Sequence, residues 1–152
     1  MSVKNPSVAR ELVSESAAPN ALPAEDPGGR ALAGLSFLVV DDIPDNQLLV
    51  AWIMESQGAR VTCAGNGEEA IHLATEHGFD LVIMDMQMPV CSGFQATKAL
   101  RAQGYQRPIL AISAGALREE ADRALAVGCN EFLVKPYSVP SLIHSVMGLV
   151  GR

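Results

Sequence analysis

Three aspartates, a serine and a lysine each stand where a short apolar run ends. Asp41 and Asp42 follow Phe37 to Val40, and Asp85 follows Leu81 to Met84. Ser113 follows Ile109 to Ile112, and Lys135 with Pro136 follows Phe132 to Val134. Short aliphatic runs alternating with helix-like stretches read as buried parallel strands. In an open parallel sheet, chemistry gathers outside the carboxyl ends of the strands. The pattern therefore predicts one place holding three carboxylates, a hydroxyl and an ammonium.

Three carboxylates drawn to within about 4–6 Å repel by roughly 4 kcal/mol per pair at an effective dielectric near 20. Lys135 cannot offset all of that. A divalent cation can, and an all-oxygen donor set favours Mg²⁺ over zinc. Three negative charges, two positive charges on the metal and one on Lys135 sum to zero, so a phosphoryl group can approach. Asp85 stands alone before a long loop, and a carboxylate can act as a nucleophile to give an aspartyl phosphate. Asp42 and the metal are expected to hold one phosphoryl oxygen, and Ser113 and Lys135 the others. A cis bond before Pro136 would aim the ammonium inward.

The elements that position these residues are regularly punctuated from Leu35 onward. Strands are predicted at 36–41, 59–64, 80–84, 108–113 and 131–134. The first helix runs from Asp45 or Asn46 to Gln57, with Leu48, Leu49, Trp52 and Ile53 on one face. Asn66 caps the second, with Glu69 three residues on, and Gly78 ends it. Further helices are expected at 94–103 and 118–127, closed by Gly104 and Gly128, and Ser138 caps the last. Five β-α units imply a doubly wound parallel sheet with helices on both faces. Strand two carries nothing reactive at its end, which suits an edge. The order 2-1-3-4-5 then brings Asp42 and Asp85 together at the switch point.

The chain has 152 residues, room for one ordinary domain. Its formal charge of −6 argues against a nucleic-acid partner, which would require a basic footprint. No window reaches the ~20 apolar residues of a membrane span, and no signal-peptide core opens the chain, so a cytoplasmic place is expected. Cys63, Cys91 and Cys129 lack metal-ligand spacing and read as small hydrophobes or incidental thiols. Residues 1–34 hold four prolines and no aromatic residue, and are expected to form a disordered tail or linker ahead of one domain at 35–152.

The segment 35–152 resembles the receiver domain of two-component response regulators. The resemblance rests on Val39-Val-Asp-Asp42, Met84-Asp-Met-Gln-Met-Pro89 with Gly93, Ala111-Ile-Ser-Ala114 and Val134-Lys-Pro136, in that order. It implies the flavodoxin-like (CheY-like) three-layer sandwich. It implies that Asp85 accepts a phosphoryl group from a phosphohistidine on a histidine kinase or phosphotransfer protein. It further implies Mg²⁺ on Asp42, Asp85 and the backbone carbonyl of Gln87, with Asp41 acting through water. Ser113 and Phe132 would form the switch pair, remodelling the face of helix four, strand five and helix five toward a downstream protein. Gln87 and Gly115 occupy the positions that tune phosphoryl loss in the family.

Two origins remain open on these residues: a single-domain regulator without an output domain, or the receiver of a hybrid sensor kinase. Turnover is expected to be limited to self-phosphorylation and slow autodephosphorylation. An aspartyl-phosphate phosphatase of the haloacid-dehalogenase type is the enzyme alternative, but its D-x-D pair is broken here by Ile43. Other readings are plainer. Met86 and Met88 pack, Asp80 is a solvated residue where a strand starts, and Trp52 is core or interface. Ile43 to Asn46 and Tyr137 border the pocket, as ordinary loop or as a kinase-docking rim.

Overall fold

A computed structural model describes residues 31–115 and 118–152. Five strands alternate with five helices: β1 Ser36–Val40, α1 Pro44–Ser56, β2 Arg60–Ala64, α2 Gly67–Glu76, β3 Leu81–Asp85, α3 Gly93–Ala102, β4 Ile109–Ser113, α4 Arg118–Val127, β5 Glu131–Val134 and α5 Val139–Val150. All four pairings are parallel, and the order is β2-β1-β3-β4-β5. The order expected from the sequence is the one found, with β2 at an edge.

Alternation along the strands divides the core into two layers. Leu38, Val40, Val82, Met84 and Ala111 pack with Ala70, Phe94, Leu100 and Ala124, on the side of α2, α3 and α4. Phe37, Val39, Leu81, Ile83 and Leu110 pack with Ile53, Met54, Leu142 and Val146, on the side of α1 and α5. This is the period-two pattern of a sheet buried on both faces.

Capping fixes where several helices begin. Asn66 accepts from the Glu69 amide at 2.8 Å, and the Glu69 carboxylate takes the Gly65 amide at 2.8 Å. Ser138 caps α5 as expected, through the Ser141 amide at 3.1 Å. Ser92 and Gln95 form a reciprocal capping box at the start of α3. The peptide bond between Lys135 and Pro136 is cis.

Helix α1 corrects the sequence reading. Of the four residues expected on one face, only Ile53 is buried, while Leu48 is 66%, Leu49 51% and Trp52 45% exposed. The buried stripe is Val50, Ala51, Ile53 and Met54. Leu48 to Met54 is apolar at every position, so helical spacing alone could not choose the face.

Residues 31–34 form a turn, and Leu32 within it is fully buried in the α1/α5 layer. Its amide donates to the Gln57 carbonyl at 2.8 Å. The expected tail covered residues 1–34; its last four residues pack against the domain through Leu32 instead, and residues 1–30 lie outside the described residues.

Candidate functional site

Strand register alone brings the reactive positions level. Val40 pairs with Met84, so Asp41 and Asp85 are each one step beyond that pair. Asp85 pairs with Ile112, one step before Ser113, and Ser113 pairs with Val134, one step before Lys135. Ligand oxygens of Asp41, Asp42 and Asp85 all lie within 4.8 Å of one another. Lys135 Nζ stands 3.7 Å from Asp41 Oδ2 and 3.7 Å from Asp85 Oδ2. Asp41 and Asp85 are buried, and Asp42 is the more open of the three.

Backbone donors and close packing hold the acids in place. Asp41 Oδ1 accepts from the Ile43 amide at 3.0 Å, and Asp85 Oδ1 from the Gln87 amide at 3.1 Å. Gln47 Nε2 donates to the carbonyls of Asp41 at 2.6 Å and Ala64 at 3.1 Å, tying α1 to the ends of β1 and β2. Gly93 opens α3 directly beneath the site, where a Cβ would overlap the Asp85 carbonyl oxygen and the backbone of Met86. In the loop between them, Met86 and Met88 are buried as packing residues, and Val90 is 88% exposed at φ 70°, a strained backbone for a β-branched residue. Burial raises the pKa of Asp85. The Gln87 amide and Lys135 oppose that shift, and Asp41 and Asp42 reinforce it.

Ser113 is level with the acids but points to the other layer. Odd positions of β3 and β5 face α1 and α5, whereas odd positions of β4 face α2 to α4, where Ala111 packs. Its hydroxyl, on a fully buried residue, donates to Glu120 Oε1 at 3.0 Å and accepts from the Gly115 amide at 3.0 Å. Gln87 Nε2 also reaches Glu120, at 3.3 and 3.5 Å. Sequence reasoning missed Glu120, because no spacing rule carries across the loop from Ser113 to α4. It missed Gln47 for the same reason. Phe132 is half-buried against the α2 to α4 layer.

A cleft of about 470 Å³ adjoins the acids between α1 and the start of α5, lined by Asp41, Lys135, Leu49, Ala114 and Tyr137 among others. Burial, then Asp41, raises the pKa of the Tyr137 phenol. Asp80 ties strands together: its Oδ2 accepts from the Ser36 amide at 2.9 Å, and Arg107 lies 3.7 Å from its Oδ1. The three cysteines are free, and burial raises the pKa of each, which suits packing rather than thiolate chemistry.

A doubly wound sheet with acids at its switch point and a lysine facing them defines an open α/β protein whose strand ends gather opposite charges in one place. The response regulator receiver domain family matches residues 37–147, and the chain belongs to that family. It is a receiver domain of two-component phosphorelay signalling. The polar-differentiation response regulator DivK of Brucella anthropi is 35% identical over 76% of this chain and 96% of its own length. The sensor protein GacS of Pseudomonas syringae is 36% identical over 93% of this chain, which spans only 16% of that relative. The receiver domain of a Pseudomonas aeruginosa sensor histidine kinase is 34% identical, with a TM-score of 0.73 over 79% of this chain and all of that one. Its crystal structure has magnesium coordinated in the active-site cleft. Among the described residues no helix is long and apolar enough to cross a membrane.

Proposed function

We propose that Asp85 accepts a phosphoryl group from a phosphohistidine, and that the product switches protein contacts in the cytoplasm. The observation that carries this is the placement of Asp41, Asp42, Asp85 and Lys135 around one point at the strand ends. In the transfer, an Asp85 oxygen bonds to phosphorus as the P–N bond breaks, and the imidazole nitrogen keeps the electron pair and takes a proton from solvent. Lys135 neutralises charge on the transferred group, and Ser113, turned away from its contact with Glu120, is the hydrogen-bond donor for a second oxygen.

The donor set fits Mg²⁺: all ligands are oxygens, and three carboxylates against one lysine leave two negative charges. Asp42, Asp85 and the Gln87 carbonyl would hold it directly, and Asp41 through water. When bound, it supplies charge neutralisation for the incoming phosphoryl oxygens.

The phosphodonor partner docks on the exposed side of α1. Ile43, Leu48, Leu49 and Trp52 are all exposed there, and Leu49 lines the cleft that holds Asp41 and Lys135. The response leaves through α4, β5 and α5, with Ser113 and Phe132 as the switch pair; Leu125 and Val134 are exposed on that side.

The test is incubation with Mg²⁺ and phosphoramidate. One phosphate per chain on Asp85 is expected, abolished in Asp85→Asn; incorporation that survives the substitution overturns the assignment. A hybrid-kinase origin remains the second reading. It is favoured by the GacS match, which covers 93% of the chain and so runs past the 37–147 of the family.

A further inference from the structure

Ser113 has a single hydroxyl proton, and Glu120 already holds it. Glu120 lies in the first turn of α4 and takes the Ser113 hydroxyl at 3.0 Å. One Ser113 lone pair is also engaged, by the Gly115 amide. Any phosphoryl oxygen that is to receive the Ser113 proton must therefore displace a carboxylate. The two cannot share it, because both are anionic acceptors and the pocket is already rich in negative charge.

Gly115 is what admits the carboxylate. A Cβ built at Gly115 would fall on the Glu120 carboxyl group, which supplies its three nearest atoms. Gln87, two residues after Asp85, holds the same carboxylate from the other side through its side-chain amide. The helix that carries Glu120 is lightly anchored, with Ala124 its one buried residue.

We propose that Glu120 is an internal competitor of the phosphoryl group. In the unphosphorylated chain it occupies the oxygen position on Ser113 and Gln87. Phosphorylation of Asp85 expels it, which frees the first turn of α4 from the end of β4. This rests on Asp85 being the phosphoacceptor. It adds a positioning residue that sets how readily the site is occupied and which element moves when it is.

The test is the affinity of the full chain for beryllofluoride at fixed Mg²⁺, with melting temperature recorded for each variant. Glu120→Ala is expected to bind about tenfold tighter than wild type, the worth of one hydrogen bond to a charged group. Glu120→Gln, which keeps an acceptor but no charge, should fall between the two. Gly115→Ala should tighten binding by pushing the carboxylate out, and should add nothing in a Glu120→Ala background. Wild-type binding that is unchanged or weakened in folded Glu120→Ala overturns the competitor role and leaves the phosphoacceptor reading standing. A Gly115→Ala effect that persists without Glu120 also overturns it. Failure of the wild type to bind beryllofluoride, with no phosphate gained from phosphoramidate, overturns the phosphoacceptor reading itself.

Discussion

Burial, with Asp41 and Asp42 nearby, raises the Asp85 pKa above its ordinary value, although the Gln87 amide and Lys135 work against it. A carboxyl whose pKa is raised by folding favours the folded state while protonated. That contribution is present below the unfolded pKa and is lost as pH rises through the folded value. At neutral pH the ionised group therefore destabilises the metal-free protein. Asp85→Asn should melt higher than wild type in chelator at pH 7, and the gap should close as pH falls below the aspartate range. Adding millimolar Mg²⁺ should raise the wild-type melting temperature and narrow the gap, by binding only the folded state. Equal melting curves with and without Mg²⁺ would count against a metal site here. These residues were legible in the sequence because the end of an apolar run is a position, and parallel register brings such positions level. The partner of Ser113 was not legible. Which layer a strand-end side chain faces depends on the stagger between β3, β4 and β5, and Glu120 arrives across a loop.

At the scale of elements, helix starts and strand edges were readable because their signals are local. Asn66 and Ser138 cap as their types and neighbours predicted, and β2 lies at the edge where its unreactive end suggested. The orientation of α1 was not readable, because its stretch from Leu48 to Met54 is apolar at every position and has no preferred face until its neighbours exist. If its exposed side is the docking face proposed above, partner binding separates from stability there. Leu48→Asp changes a residue that is 66% exposed, so folding stability should move by no more than about 0.5 kcal/mol. Phosphoryl transfer from a phosphohistidine protein should slow by roughly tenfold or more, while labelling by phosphoramidate stays unchanged. Comparing initial rates with the two donors checks this, and equal slowing with both would move the role of α1 from docking to the site itself.

For the whole molecule, the two layers close around a sheet whose far end is finished by the turn at residues 31–34. Leu32 fills the α1/α5 layer there, so the structural domain begins ahead of β1. A chain lacking residues 1–30 should unfold like the full chain in urea. One lacking 1–34 should lose about 2–5 kcal/mol, the cost of emptying a fully buried leucine site. Matching midpoints for both truncations would show that the Leu32 site collapses without cost. An apolar residue isolated among Pro, Gly and Ala carries no periodicity, which is why the sequence placed it in the tail.

Arg152 Nη1 reaches the carbonyls of Ala31 and Ala33 at 3.2 Å each, so the segment after α5 meets the turn ahead of β1. They meet at the pole where the strands begin, and Asp85 lies at the pole where they end. The turn and the end of α5 therefore stand across the sheet from the acids. A short linker can join residue 152 to residue 31, and new termini opened elsewhere would leave Asp41, Asp85 and Lys135 at the opposite pole in place.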